Sequence, residues 1–183
     1  YNDFAKDLSK NEKILIDDGK LIFKVLSSNK KFHVRTKVIQ GGVLKSNKGV
    51  NLPNTKLSLP ALTKKDINDA KFIFENNFDW IALSFVRTKN DIQDLLKLMN
   101  KNLDYKIPII AKIEKPEAIK NIEEIIKFSD GLMVARGDLG IEIPAEEVPL
   151  IQKELVIKSK KSRIPIIIAT QMMESMIENL SPS

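Results

Sequence analysis

The sequence predicts an α/β fold in which a small β-rich domain precedes a parallel sheet covered by helices. Residues 1–57 contain short strands separated by turn signals, whereas residues 58–183 alternate apolar runs with amphipathic helical stretches. The apolar runs are nearly continuous, as they are in parallel strands that helices bury on both faces. These observations predict two domains, residues 1–57 and residues 58–183.

The first domain is predicted from its turn and strand signals. Residues 12–26 are expected to form two strands around the Asp18-Gly19 turn. Residues 31–39 alternate apolar and polar side chains, which predicts a half-buried strand. Residues 48–53 read as a loop or a strand edge. Large apolar residues are few here, so we expect a small module.

The second domain is predicted from four strand–helix repeats. Thr63 and Thr88 occupy positions typical of helix N-caps, and Pro116 suits a first helical turn. A closed (β/α)8 barrel has eight strands, so four repeats predict a partial (β/α)8 barrel and a chain that is a piece of a larger enzyme. Strands are expected at 79–86, 107–113, 131–135 and 164–169, and helices at 63–76, 88–100, 116–128, 147–161 and 171–178.

Composition excludes several classes of protein. The chain has 183 residues, of which 43% are hydrophobic and 30% charged, as is typical of a globular protein. It has no cysteine, which excludes disulfides, thiolate catalysis and cysteine-ligated zinc. The net charge is +6, but the lysines alternate with acidic residues and only four arginines occur, so we expect no nucleic-acid partner. The apolar runs are too short to span a bilayer, so we expect no membrane partner.

Charged residues end the predicted parallel strands. Lys112 and Glu114 close one strand, and Arg136 and Asp138 close the next. Residues two apart on a strand share a face, so we expect each pair to point in one direction. Ligand sites of parallel β/α folds lie at these carboxyl ends. The pattern predicts a site that holds a divalent metal together with a phosphorylated anion.

The residue pattern leaves alternatives open for each of these groups. Glu114 and Asp138 suit Mg²⁺, which takes one or two carboxylates with substrate oxygens and water. Glu114 could instead form a buried ion pair with Lys112 or Arg136. Lys112 could neutralise a transferring phosphoryl group or a developing enolate, or it could serve only as that ion-pair partner.

Gly137, Asp138, Thr170 and His33 could each have either a functional or a purely structural role. The backbone of Gly137 and Asp138 could bind an anion at a helix start, or it could form a tight turn. Thr170 could hold substrate or a water that delivers a proton, or it could cap a helix. His33, the only histidine, is expected to be structural or exposed.

Five segments of the chain resemble the pyruvate kinase family. They are LMVARGDLG with EIP at 132–144, AKIE at 111–114, ATQMMESM at 169–176, IDDG at 16–19 and KGVNLP at 48–53. The first resembles the most diagnostic motif of the family, and the last two resemble its small β domain. The resemblance covers essentially the whole chain. It implies a partial (β/α)8 TIM barrel with a partial small β-barrel domain at the N-terminus.

The resemblance implies a reaction and roles for four substrate-binding residues. The reaction would be transfer of the phosphoryl group of phosphoenolpyruvate to ADP, giving pyruvate and ATP in glycolysis. Lys112 would stabilise the transferred phosphoryl group and the enolate. The backbone of Gly137 and Asp138 would hold the substrate carboxylate. Thr170 would contact substrate and order the water that donates a proton.

The resemblance also implies cofactors and a cellular setting. Glu114 and Asp138 would bind Mg²⁺ or Mn²⁺, and Lys48 would reach the nucleotide. Full-length relatives would also use K⁺, but its ligands lie on three earlier strands that this chain does not match. Those strands carry an arginine for the phosphoryl group, so we expect the chain alone to be inactive or nearly so. The whole protein would be a cytoplasmic homotetramer.

Two other functions stay open at this point. Another metal-dependent phosphoenolpyruvate or pyruvate barrel enzyme, an aldolase or a lyase, would share the carboxylates but would not need Lys48. A non-catalytic half-barrel would self-associate through its unpaired strand edges.

Overall fold

The structure is a computed structural model that describes residues 3–55, 58, 60 and 62–170. It contains two four-stranded sheets, one antiparallel and one parallel. The strands are β1 Lys13–Ile16, β2 Leu21–Ser28, β3 Val34–Gln40, β4 Val50–Asn51, β5 Ile81–Leu83, β6 Ile109–Ile113, β7 Gly131–Ala135 and β8 Ile166–Ala169. The helices are α1 Phe4–Asp7, α2 Lys64–Glu75, α3 Lys89–Asn102, α4 Pro116–Lys120, α5 Ile122–Phe128, α6 Arg136–Glu142 and α7 Val148–Lys161, with a 3-10 turn at Ala145–Glu147.

The antiparallel sheet has the strand order β3-β2-β1-β4. Its predicted β1–β2 hairpin is confirmed, with Ile16 opposite Leu21. The connecting turn places Asp17, Asp18 and Gly19 in the left-handed region, with φ of 53°, 55° and 81°. Aspartate and glycine tolerate this conformation better than most residues, which explains why the turn forms here.

The third strand differs from its prediction in both position and burial. It begins at Val34 rather than residue 31 and ends at Gln40. It was expected to be half-buried, but Val38 and Ile39 are each 55% exposed. The alternation of apolar and polar residues is therefore present in the sequence, but no second layer of described residues covers this strand. His33 precedes the strand and is exposed, as expected.

The parallel sheet has the strand order β5-β6-β7-β8, which confirms the predicted parallel arrangement. The two central strands are the most buried, and Ile109, Ile113, Leu132 and Val134 are fully inaccessible. Helices α2, α3, α5 and α7 contribute to the same apolar core. The continuous apolar runs are thus explained by burial on two faces.

The predicted helix caps are present. The Thr63 hydroxyl accepts a hydrogen bond from the Asp66 N–H, while the Asp66 carboxylate accepts one from the Thr63 N–H. At α3, the Asp91 carboxylate accepts hydrogen bonds from the backbone N–H groups of Arg87 at 2.7 Å and Thr88 at 2.8 Å. These bonds satisfy backbone donors that the first helical turn leaves without partners. The second cap fixes the chain that leaves β5.

The largest other differences from the predicted bounds concern residues 79–86 and 116–128. The expected strand 79–86 is shortened to β5, because residues 84–85 form a turn. The expected helix 116–128 is divided at Asn121 into α4 and α5. The Asn121 amide donates to the Arg87 carbonyl at 3.1 Å and to the Glu117 carbonyl at 3.0 Å, so a tertiary contact interrupts the helix. The helix expected at 171–178 lies outside the described residues.

No helix in the described ranges has the length and apolar character needed to cross a membrane.

Glu124 and Lys127 of α5 form ion pairs with each other and, through Glu124, with Lys89 of α3. These ion pairs affect the stability of the protein at acid pH. The Glu124 carboxylate lies 2.7 Å from both Lys127 Nζ and Lys89 Nζ. Hydrogen bonds from Lys127 first, and then Lys89, lower the pKa of Glu124 from 4.5 to about 2. The folded protein therefore keeps this carboxylate ionised at pH values where the unfolded chain protonates it.

We expect Glu124→Gln to flatten the acid limb of the stability curve. The stabilisation from Glu124 is present above its unfolded pKa and is lost as the pH falls from 4.5 towards about 2. Urea unfolding at a series of pH values should show a shallower loss of stability in the variant over that window. Glu75→Gln, at an exposed position on α2, is the matched control. Equal acid limbs for the Glu124→Gln variant and the unsubstituted chain would contradict the prediction.

Candidate active site

A buried carboxylate lies at the carboxyl end of the parallel sheet. Glu114 directly follows β6, and only 1% of its side chain is exposed. Its Oε2 accepts a hydrogen bond from the Phe85 backbone N–H at 2.7 Å. Its Oε1 lies 2.6 Å from Lys112 Nζ. A buried carboxylate needs such partners, because burial of an uncompensated charge is unfavourable by several kcal/mol.

Lys112 connects this carboxylate to the open side of the site. Its Nζ also donates to Ser84 Oγ at 3.0 Å, and 24% of its side chain is exposed. The prediction that Lys112 and Glu114 share a face is confirmed by their contact. The ion-pair alternative is therefore realised in this structure. Part of the Lys112 side chain stays accessible, so an anion could still contact it.

The second predicted pair is not arranged as expected. Strand β7 ends at Ala135, and Arg136 and Asp138 lie on α6 rather than on a strand. Two helical residues two apart differ by about 200° around the helix axis, so their side chains do not share a face. The prediction failed because the strand ends one residue before the charges begin. The charges of Lys112 and Glu114 nevertheless influence the pKa of Asp138.

The pKa of Asp138 reports its surroundings. Partial burial raises this pKa above 3.8, and the nearby negative charge of Glu114 raises it further. Lys112 opposes the shift without cancelling it, and Asp18 of the β1–β2 turn adds to it. Glu114 and Asp138 are therefore close enough to repel each other. A bound cation would relieve this repulsion, so the two carboxylates fit a divalent metal.

The donor set also limits the kind of metal. Within the part of the chain that the structure describes, no group of three or more His, Cys, Asp or Glu side chains could hold a metal ion. Two carboxylates are few for Ca²⁺ but sufficient for Mg²⁺, which commonly keeps waters and substrate oxygens as its other ligands. The site therefore fits Mg²⁺ or Mn²⁺ together with an oxygen-rich substrate.

Two other predicted residues meet beside this site. A Cβ placed on Gly137 would lie 3.6 Å from Thr170 Cγ2, so α6 begins next to the end of β8. Thr170 has φ of 78°, an uncommon conformation for a β-branched residue. Strained backbone of this kind persists only where the surrounding structure holds it. Gln171, which follows, lies outside the described residues.

Lys48 lies in the loop that leads into β4 of the antiparallel sheet. Its Nζ is 2.8 Å from Asp17 Oδ1, and this hydrogen bond raises the pKa of Lys48 and lowers the pKa of Asp17. The pair holds the β1–β2 turn against the loop that precedes β4. The nucleotide contact predicted for Lys48 stays a prediction.

The two sheets enclose a cleft of about 840 Å³. Asp18 and Asn51 line it from the antiparallel sheet, whereas Ser84, Phe85 and Asp138 line it from the parallel sheet. Of the charged residues predicted for the site, Asp138 lines this cleft, whereas Lys112 and Glu114 do not. Sequence reasoning missed the antiparallel-sheet residues because their approach depends on long-range packing.

Two further polar residues near the site, Lys115 and Glu142, were also missed. Lys115 forms an ion pair with the buried Glu142, and Asn51 Nδ2 donates to the same Glu142 oxygen at 2.9 Å. Lys115 directly follows Glu114, and Glu142 lies four residues after Asp138, and both of these neighbours are predicted metal ligands. Their closeness in sequence to these ligands could have indicated that Lys115 and Glu142 lie near the site.

Removal of the Lys112 charge should strongly destabilise the protein. We expect Lys112→Met to lower the free energy of unfolding by about 3–5 kcal/mol, because Glu114 would stay buried without its cation. The measurement is urea unfolding without divalent cations, followed by the fluorescence of Trp80, the only tryptophan. Lys101→Met, at an exposed position of α3, should have little effect.

A double variant separates the charge from the packing of the lysine stem. Lys112→Met combined with Glu114→Gln should recover most of the lost stability, because the glutamine amide needs no countercharge. If Lys112→Met and Lys101→Met have equal effects, the ion pair does not stabilise Glu114.

The chain matches the family model described as pyruvate kinase, barrel domain, over residues 1–183. It is 47% identical over 184 residues to the pyruvate kinase of Bacillus licheniformis, and this covers 100% of the chain and 32% of that protein. It is 45% identical over 183 residues to the pyruvate kinase of Corynebacterium glutamicum, with 100% and 38% covered. The chain thus spans 31–38% of the length of the curated relatives it matches.

The pyruvate kinase of Mycobacterium tuberculosis strain H37Rv is 43% identical over 183 residues, which cover 100% of the chain and 38% of that protein. Both the family model and these relatives extend over all the segments that contribute to the site. The chain belongs to the pyruvate kinase family.

Proposed function

We propose that these residues form part of a site that transfers the phosphoryl group of phosphoenolpyruvate to ADP. The observation that supports this most directly is the cluster of Lys112, Glu114 and Asp138 at neighbouring strand ends. One cation and two mutually repelling carboxylates suit a substrate that carries phosphate and carboxylate groups together with a divalent metal. Membership in the pyruvate kinase family supports the choice of substrates.

The transfer requires charge neutralisation more than covalent chemistry. The bond between phosphorus and the enol oxygen breaks, and a terminal phosphate oxygen of ADP forms the new bond to phosphorus. The Lys112 ammonium stabilises the negative charge that develops on the phosphoryl group and on the enolate left behind. The enolate then takes a proton at carbon to give pyruvate. The Thr170 hydroxyl orders the water that supplies this proton.

We assign the remaining roles from membership in the pyruvate kinase family. Glu114 and Asp138 hold Mg²⁺ or Mn²⁺, which supplies positive charge to the phosphoryl oxygens when bound. The backbone N–H groups of Gly137 and Asp138, in the first turn of α6, bind the substrate carboxylate. Lys48 extends from the antiparallel sheet to the phosphates of the nucleotide.

We also infer the larger architecture from the family. Residues 58–183 are part of a (β/α)8 barrel, and residues 1–57 are part of a small β-barrel domain. The parallel order of β5–β8 and the antiparallel order of β1–β4 support this division. The whole protein works in glycolysis in the cytoplasm as a homotetramer, and its K⁺ ligands lie beyond the residues of this chain. The edges of the parallel sheet would also let this chain self-associate.

The metal assignment can be tested on this chain without turnover. Titration of Mn²⁺ followed by electron paramagnetic resonance should give a dissociation constant that rises about tenfold or more in Glu114→Gln and in Asp138→Asn, because each loses a charged ligand. Asp104→Asn, an exposed change between α3 and β6, is the matched control. Unchanged Mn²⁺ affinity in both site variants would show that the metal binds elsewhere.

The nucleotide role of Lys48 distinguishes this function from a related aldolase or lyase. Lys48→Met should weaken ADP binding in the presence of Mn²⁺ by about tenfold, because the phosphates lose a cationic contact. Isothermal titration calorimetry measures this affinity, and Lys45→Met is the control at an exposed position of the same loop. Equal ADP affinities in the two variants would contradict the nucleotide contact of Lys48 and would favour a barrel enzyme that does not need this residue.

A further inference from the structure

Glu142 is a buried carboxylate that none of the roles above uses. Its side chain is 1% exposed, yet it contacts two polar groups from different parts of the chain. Lys115 Nζ forms an ion pair with Oε1, and Asn51 Nδ2 donates a hydrogen bond to the same oxygen at 2.9 Å. Among the described residues, Oε2 is buried without a hydrogen-bond partner.

The position of Glu142 is unfavourable by local rules. It is the last residue of α6, where the carbonyl end of a helix repels a carboxylate. A buried oxygen without a partner adds a further penalty. Violations of local rules of this kind are expected at functional or strained sites.

The contacts of Glu142 form a continuous path between the two sheets. From Glu142 the path leads through Lys115, whose Nζ lies 5.9 Å from the centre of the Phe85 ring. The Phe85 backbone N–H binds Glu114, and Phe85 has φ of 54°, which is uncommon for an aromatic residue. The path therefore ends at a carboxylate of the proposed metal site.

The other end of the path is Asn51 on β4. Asn51 lies opposite Leu15 of β1, and the Asp17 N–H donates to the Gly49 carbonyl at 3.1 Å. Asp17 in turn holds Lys48. A displacement of Asn51 would therefore displace Lys48 as well.

We propose that Glu142 is a positioning residue that fastens the antiparallel sheet, with Lys48, to the metal-site end of the parallel sheet through Asn51. This role rests on the proposed function, in which Lys48 contacts the nucleotide. Glu142 would hold Lys48 at a fixed distance from Glu114 and Asp138. The hydrogen bond from the uncharged Asn51 amide is weaker than the ion pair with Lys115, so it can open while the ion pair keeps Glu142 in place. The junction between the sheets is thus releasable on one side only.

The physical connection is tested by distance measurements that need no ligand. The chain has no cysteine, so spin labels attach only where cysteine is introduced. Lys37→Cys on β3 and Lys153→Cys on α7 place one label at an exposed position on each side of the junction. Double electron–electron resonance should give one narrow distance distribution. Asn51→Leu, which removes the donor at similar volume, should broaden it clearly, as should Glu142→Ala. Asn54→Leu, three residues further on and exposed, should leave it unchanged.

Binding measurements then test the positioning role. In Asn51→Leu we expect a Mn²⁺ dissociation constant like that of the unsubstituted chain, but ADP binding with Mn²⁺ weakened by about five- to tenfold, the equivalent of one lost hydrogen bond. Loss of Mn²⁺ and ADP affinity to the same extent would indicate a merely structural role and would overturn the proposal. So would unchanged distance distributions in both Asn51→Leu and Glu142→Ala. If the unsubstituted chain binds no Mn²⁺, the proposed function fails, whereas the distance measurement still decides the connection.

Discussion

The buried charge of Glu114 is the constraint on which the site depends. A carboxylate at the end of a central strand must find a countercharge and a hydrogen-bond donor inside the protein, because water does not reach it. Lys112, two residues earlier, supplies the countercharge at 2.6 Å. The Phe85 N–H supplies the donor, and this requires the chain after β5 to turn sharply at residues 84–85. The short β5 and its left-handed Phe85 are consequences of this requirement.

The same constraint organises the surrounding helices. Because the chain turns at Phe85, Thr88 and Asp91 can begin α3 immediately, and the Asp91 carboxylate fixes the Arg87 and Thr88 amides. The Arg87 carbonyl then accepts a hydrogen bond from Asn121, where the predicted single helix is divided. A strand end, a helix cap and a helix break are thus joined by hydrogen bonds that lead back to one buried carboxylate.

Local patterns explain what could be predicted from the sequence. The β7 bounds, the caps at Thr63 and Thr88 and the shared face of Lys112 and Glu114 depend on residues within four positions of one another. The failures depend on tertiary contacts: Asn121 breaks a helix through a carbonyl 34 residues away, and Val38 and Ile39 lack the cover that their alternation suggests. Glu142 escaped notice because its partner Asn51 lies 91 residues earlier.

The electrostatics of Asp138 show how the site differs from the rest of the protein. The other shifted groups in the described part of the chain lie beside opposite charges that favour their ionised forms, as Glu123 does beside Lys158. Asp138 instead has a raised pKa, because burial and Glu114 both oppose its ionisation. The folded state then binds a proton more tightly than the unfolded state, so stability falls as the pH rises from 3.8 through the raised pKa. At neutral pH the ionised Asp138 carboxylate therefore lowers the stability of the folded state, and a bound divalent cation would offset this loss.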